Sequence, residues 1–269
     1  MFARVVLSRP DPFIMTEPAA AGDRGYVDLS GKVLASQALN GAVRNCILVL
    51  AGQSNICNLG PTAYTPTNTG KVDNLNPCNG AIYAAVDPLL GCSSTGGNPG
   101  GRLADKLINA ALFDRVILVP VAIGGSAAAD WQNSYGNRLT AALSRVQARL
   151  GVSPTAILWG QGEADTNLAT SQSSYQASMT AVISATRSAG YAGPWFIAEQ
   201  TWNGGATSAA VQAAQLALVN HGSNIWAGPN ADSLGAGNRQ ADNTHFNDAG
   251  MDAYAGLWLT ALQAFGAPF

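Results

Sequence analysis

A chain of 269 residues, 47% apolar and only 11% charged, can bury a full core, which excludes a disordered segment and fits one α/β domain better than two small ones. Its formal net charge of -2 offers no basic field for a phosphate backbone or an anionic lipid surface, so neither nucleic acid nor membrane is an expected partner. No apolar run approaches the roughly 20 residues that span a bilayer; the longest, over 116–125, is interrupted by Pro120.

Residues 1–42 show no sustained period and carry Pro10, Pro12, Pro18 and the turn Gly22-Asp-Arg-Gly25. They are expected to form an arm or linker ahead of one domain over 43–269, and their first residues lack the apolar centre of a secretion signal. Next comes Cys46-Ile-Leu-Val-Leu-Ala51, a short continuous apolar run that predicts a strand covered on both faces. The Gly/Ser/Asn-rich stretch over 58–101 is long for a connection within a compact domain, so a functional surface loop or partly ordered insertion is expected there, with a weak strand at 81–86. Further apolar runs at 116–123, 156–159 and 195–198 predict three more strands.

Between these runs the apolar residues recur at helical spacing: Leu103 and Leu107, then Leu139, Leu143 and Val146, then Tyr175, Met179 and Val182, then Val211, Ala214 and Leu218. A last helix is announced by Asn247 or Asp248 as cap, followed by Met251, Tyr254, Trp258 and Leu262. Strand and helix alternate, which predicts a three-layer α/β/α domain around a doubly wound parallel sheet, its functional groups at the carboxyl ends of the strands.

Only His221 and His245 offer a neutral-pH base. His221 follows a helical pattern and precedes Gly222, so it reads as a cation at a helix C-terminus. His245 stands three residues after Asp242, a spacing that lets the carboxylate turn back onto the imidazole Nδ1 and fix its tautomer. Ser54, in Gly52-Gln-Ser-Asn55 at the end of the first strand, is the candidate nucleophile, although a Ser/Asn pair there could equally cap a turn. The Gly124-Gly125 pair suits an oxyanion hole or a plain strand-to-loop turn, while Trp159-Gly-Gln-Gly-Glu163 and Asp165 crowd one strand end with more polar groups than packing needs.

Taken in order, these four segments resemble the blocks of the SGNH-hydrolase superfamily over about residues 44–265, most closely its carbohydrate-esterase branch of sialate O-acetylesterase-like proteins and acetyl xylan esterases. The resemblance implies a flavodoxin-like fold and a serine esterase without metal or organic cofactor. Ser54 would be its nucleophile, His245 its base and Asp242 the orienter of His245. The oxyanion would be held by the Ser54 and Gly124 or Gly125 N–H groups and by the Gln161 side chain. Lipase-like branches have Asn in the third block, so Gln161 favours a sugar ester, and the implied partner is an O-acetylated carbohydrate.

Gln53, Asn55 and Glu163 beside these groups are expected substrate contacts, with Glu163 in reserve as a partner for His245 and Asp165 left without a role. Trp131, Trp159 and Trp202 are expected near strand ends, where an indole can stack on a sugar, at least one of them being core instead. Such a substrate suggests a protein working outside the cell or on a virion, attached to a larger assembly through the arm. Two rivals stand: a noncatalytic glycan-binding module on the same fold, and a lipase or thioesterase, against which no apolar amphipathic lid is evident. Cys46 is expected in the core, whereas the surroundings of Cys57, Cys78 and Cys92 leave room for one disulfide.

Overall fold

A computed structural model of the chain describes residues 27–266. Seven strands, β1 (Asn45–Gly52), β2 (Val72–Leu75), β3 (Ile82–Ala84), β4 (Arg115–Pro120), β5 (Ala156–Gly160), β6 (Trp195–Glu199) and β7 (Ile225–Asn230), form one sheet in the order β3-β2-β4-β1-β5-β6-β7. Every neighbouring pair is parallel except β2 with β3. Along β1 the side chains alternate: Ile47, Val49 and Ala51 face one core, Cys46, Leu48 and Leu50 the other. A strand buried on both faces needs apolar residues at every position, and for that reason it reads as an unbroken run.

Helices α3 (Gly136–Leu150), α5 (Gln172–Ser188) and α6 (Ala209–Leu218) cover the Ile47 face; α1 (Pro99–Asn109) and α7 (Asp248–Phe265) cover the Leu48 face. The short turns α2 (Ala128–Asp130) and α4 (Glu163–Asn167) follow β4 and β5. The Asn247 side chain accepts from Gly250 N at 2.9 Å and starts α7 as the sequence signalled. The expected three-layer architecture is the one observed. No helix among the described residues is long and apolar enough to cross a membrane.

The stretch 58–101 departs from its expectation. It supplies β2 and β3, buries Leu75, Ile82, Leu89, Leu90 and Cys92, and so is part of the packed domain rather than a surface loop. Its internal strand β2 contains Asp73 and Asn74, made tolerable by partners: Arg115 Nε donates to Asp73 Oδ2 at 2.7 Å, and the Asn74 amide holds Leu90 N and O. Of the arm expected over 1–42, residues 1–26 lie outside the described residues. Within the remainder, Ala35 N donates to Ile82 O, Ala84 N donates to Val33 O, and Ser36 O and Ala38 O accept from the Arg115 guanidinium.

His221 does not close the preceding helix: α6 stops at Leu218, His221 opens a separate 3-10 turn over His221–Ser223, and its imidazole stacks on Trp226 at 3.9 Å. All four cysteines are free thiols, so the disulfide for which the sequence left room is not formed.

The chain moves outward from β1 to β2 and β3, returns with β4, then places β5, β6 and β7 on the other side of β1. The direction of winding therefore reverses across β4, β1 and β5, and the crevice beyond their carboxyl ends is where such sheets bind ligands.

Candidate active site

At the end of β1 the backbone turns sharply. Gly52 adopts φ +127°, and a Cβ there would stand 2.1 Å from Gly160 O, so only glycine lets β1 and β5 close this tightly. Ser54 then opens a single 3-10 turn, Ser54–Ile56, in which Cys57 N donates to Ser54 O. The first N–H groups of such a turn have no acceptor within it, so the turn itself does not use the Ser54 N–H.

Beyond β4 the extended backbone continues, with Val121 N and Ile123 N donating to Leu50 O and Gly52 O, and delivers Gly124 and Gly125 beside Ser54. Gly124 N–H is already engaged by Ser93 Oγ at 2.7 Å. Gly125, at φ +72° with open space where a Cβ would be, lines the same crevice. Beyond β5, Gly162 (φ +158°) packs against Gln200 O before α4 begins.

His245 arrives from the opposite end of the sequence, on the loop before α7. Asp242 shapes that loop. Its Oδ1 accepts from Thr244 N and His245 N, at 2.9 and 3.0 Å, while Oδ2 meets His245 Nδ1 at 2.6 Å. Asn243 adopts a left-handed conformation between them. Burial alone would raise the Asp242 carboxyl, but the hydrogen bonds from His245 and Thr244 outweigh it and hold the group below its ordinary value. With Nδ1 bound to a carboxylate, Nε2 is the ring nitrogen free to accept a proton.

Ser54 and His245 open on one cavity of about 450 Å³, a volume suited to a small ligand. Its wall also contains Gln53, Gly124, Gly125 and Glu163 from the expected set, together with Leu59, Ser93, Ser94, Ala164, Asn167, Asn203 and Thr244, which sequence reasoning missed. Asn203 had a signal, since it lies four residues beyond the end of β6. Ser93 and Ser94 had none. Among the described residues no group of three or more His, Cys, Asp or Glu could hold a metal ion.

Five expected contacts are not part of this wall. Trp131 and Trp159 are fully buried in edge-to-face contact at 5.3 Å, their indole N–H groups donating to Ser126 Oγ and Tyr175 OH. They are core because the pleat carries Trp159 to the same face as Ile157. Trp202 braces the histidine loop instead, donating to Asn243 O at 2.9 Å. Asn55, also buried, clamps both neighbours of His245: its Nδ2 donates to Thr244 O and its Oδ1 accepts from Phe246 N.

Gln161, expected to hold the oxyanion, lies behind the wall. Its Nε2 faces three acceptors, Asp165 Oδ2 at 2.6 Å, Ser126 O at 3.1 Å and Gln53 Oε1 at 3.2 Å. A flipped amide would set oxygen against oxygen, so the nitrogen is fixed there, away from the cavity. Asp165 gains a role from the same geometry: it ties Gln161 to Ala128 N and so fastens α4 to the turn after β4.

Glu163 does not hold His245. Its Oε1 accepts from Asn55 Nδ2 at 2.6 Å and Gln200 Nε2 at 2.8 Å, while Oε2 is buried without a partner among the described residues. Burial pushes the carboxyl from its ordinary 4.5 up to about 6, against the hydrogen bond from Asn55. Between those values the unfolded chain has lost a proton that the folded protein keeps. Stability therefore falls as pH rises through that window, by about 2 kcal/mol at neutrality. Glu163→Gln cannot ionise, and its Tm advantage over wild type is expected to grow by roughly 4–8 °C between pH 4.5 and 7. Thermal unfolding at both pH values checks this; a difference independent of pH would show that Glu163 does not carry the proton.

A sequence profile of the family described as carbohydrate esterase, sialic acid-specific acetylesterase, matches residues 44–259. No curated protein matches the chain. Among solved structures, a protein from Arabidopsis thaliana is 24% identical with a TM-score of 0.65, over 82% of this chain and 98% of that one. NanS is 16% identical with a TM-score of 0.53, over 82% and 97%. A carbohydrate esterase family 3 protein from Talaromyces cellulolyticus is 13% identical with a TM-score of 0.52, over 81% and 97%. At these identities the likeness is one of fold alone.

Proposed function

The chain belongs to the carbohydrate esterase family described as sialic acid-specific acetylesterase, and from that premise we propose that this esterase removes O-acetyl groups from a carbohydrate, with Ser54 as nucleophile, His245 as base and Asp242 as orienter. The observation that carries the proposal is the shared cavity, onto which Ser54 and His245 open while Asp242 holds the imidazole by Nδ1. His245 Nε2 takes the Ser54 hydroxyl proton as Oγ bonds to the acetyl carbon and the carbonyl π pair moves onto oxygen. Collapse expels the sugar oxygen, which takes the proton from His245. Water, deprotonated in turn by His245, bonds to the acyl carbon, and collapse breaks the bond to Ser54 Oγ, which takes the proton back from His245 as acetate leaves. The Ser54 and Gly125 N–H groups face the developing negative charge.

The wall also bears on the sugar. Asn167, Asn203 and Ser94 bring polar groups to the wall that suit sugar hydroxyls, whereas Thr244 Oγ1 is engaged by Asn203 Oδ1 and Gly204 N, and among the described residues no Lys or Arg lines the wall to pair with a sugar carboxylate. This favours a neutral O-acetylated sugar over an acidic one. Acetate release across neutral and acidic O-acetylated glycans, with short and long acyl esters alongside, tests the reading. Neutral acetylated sugars should be the best substrates. Preference for long acyl chains would point to a lipase or thioesterase. Glycan binding without acetate release or labelling by a serine-directed phosphonate would point to a binding module.

A further inference from the structure

We infer that Cys57 and Cys92 form a modification site, a buried pair of thiols that an oxidant of the peroxide class converts to a disulfide stapling the Ser54 turn to the cavity wall. Cys57 closes the turn that Ser54 opens, its N–H donating to Ser54 O. Its side chain leaves that turn toward the segment 92–94, where Sγ donates to Ser93 O at 3.0 Å and lies 3.4 Å from Ser93 Oγ. The thiol of Cys92, the residue before Ser93, is hydrogen-bonded to that of Cys57, and Asn58 N–H donates to the pair. Both cysteines are fully buried and both are free thiols in this structure.

The fold leaves this pair no other thiol to choose. Cys46 begins β1, about 20 Å of strand away from the turn that follows Gly52, and Cys78 packs on the Ile47 face, across the sheet from both. Burial, the adjacent Cys57 sulfur and the Asp87 carboxylate push the Cys92 thiol up, whereas donors from Cys92, Ser93 and Asn58 surround Cys57 Sγ, so Cys57 is the sulfur that reacts first. A small oxidant approaches from the crevice, whose wall includes Ser93, the residue in contact with Cys57 Sγ. Cys57 Sγ attacks one peroxide oxygen, the O–O bond breaks, and the departing hydroxide leaves as water with the Cys57 thiol proton. Cys92 Sγ then bonds to Cys57 Sγ and expels the sulfenic hydroxyl, which takes the Cys92 proton as a second water. The two thiols are oxidised by two electrons and the peroxide is reduced by two.

The bridge would join residues 35 positions apart and so restrict the unfolded chain. It would also link two parts of the crevice that are separate in the sequence, because Ser93 Oγ already accepts from Gly124 N at 2.7 Å on the segment after β4. The test exposes the full-length protein to hydrogen peroxide, alkylates the remaining thiols in denaturant, maps the peptides by mass spectrometry and follows thermal unfolding with and without a dithiol reductant. One intramolecular bridge joining Cys57 to Cys92 is expected, with Cys46 and Cys78 still alkylated. Tm should rise by roughly 5–15 °C and return on reduction. Cys78→Ser should behave as wild type, and Cys92→Ala should show neither the bridge nor the rise.

Four alkylated thiols after peroxide, a sulfinic Cys57 without a bridge, or a bridge through Cys46 or Cys78 would overturn the site. A Cys57–Cys92 bridge that leaves Tm unchanged or lowers it would overturn the staple. Should Cys92→Ala not fold, the wild-type map decides alone, since fragmentation of the tryptic peptide over 72–102 separates Cys92 from Cys78. None of these measurements depends on acetate release, so their outcome stands apart from the esterase reading.

Discussion

Ser54→Ala is expected to lower kcat for acetate release by roughly 10⁶-fold, the scale of loss when a serine nucleophile is deleted from a triad, with little change in Tm. The two halves of that expectation have separate causes. Ser54 lines the cavity, and the contact of its Oγ with Gln53 Nε2 is long at 3.4 Å, so its removal breaks no strong bond and opens no closed void. The turn itself is held by the backbone, through Gln53 N on Gly160 O and Cys57 N on Ser54 O, which alanine preserves. Acetate release and thermal unfolding on the same preparation check both halves. Wild-type turnover in the variant would exclude Ser54 as nucleophile.

Asp242→Asn should cost roughly 10⁴-fold in kcat, and the loop geometry shows why an isosteric change would be so damaging. Asp242 uses both oxygens: Oδ1 takes the N–H groups of Thr244 and His245, and Oδ2 takes the imidazole. An asparagine that keeps its oxygen on the two backbone N–H groups must turn its NH₂ toward His245 Nδ1. The ring can meet that donor only by giving up the Nδ1 proton and carrying it on Nε2, where it can no longer accept the proton of Ser54. The opposite rotamer restores the imidazole bond but sets NH₂ against two backbone donors. Steady-state kinetics measure the loss, and histidine ring nitrogen shifts in the NMR spectrum report the tautomer. An active variant with the wild-type tautomer would remove Asp242 from the mechanism.

The parts of the fold legible in the sequence were those where burial leaves a simple pattern. β1, β4, β5 and β6 are covered on both faces and wrote themselves as apolar runs. β2 did not, since Asp73 is neutralised by an arginine 42 residues away and Asn74 binds backbone. β7 escaped too: it is an edge strand containing Gly228 and Pro229, residues that argue against a strand unless one side needs no partner. At the site, Ser54, Asp242, His245 and the glycine pair could be named from their order and spacing. The orientation of an amide could not. Gln161 occupies a block where the resemblance puts an oxyanion donor, yet three acceptors turn its nitrogen inward, and only the packed structure brings them together. Trp159 was more avoidable, because counting by twos along β5 from Ile157 already assigns it to the core.

The clamp between Asn55 and the histidine loop also bears on how the protein matures. Asn55 and Phe246, which it binds, are 191 residues apart. At synthesis rates of about 5–20 residues per second, that separation means roughly 10–40 s between the emergence of one partner and the other. The loop cannot dock until α7 closes against α1 and β7, and loop closure over such a span comes late in folding. A ribosome-bound chain therefore exposes the nucleophile segment before the base has been made. Acquisition of esterase activity during translation would report the docking of α7, and a chain truncated before residue 245 would lack both the base and the α7 side chains that cover the Leu48 face.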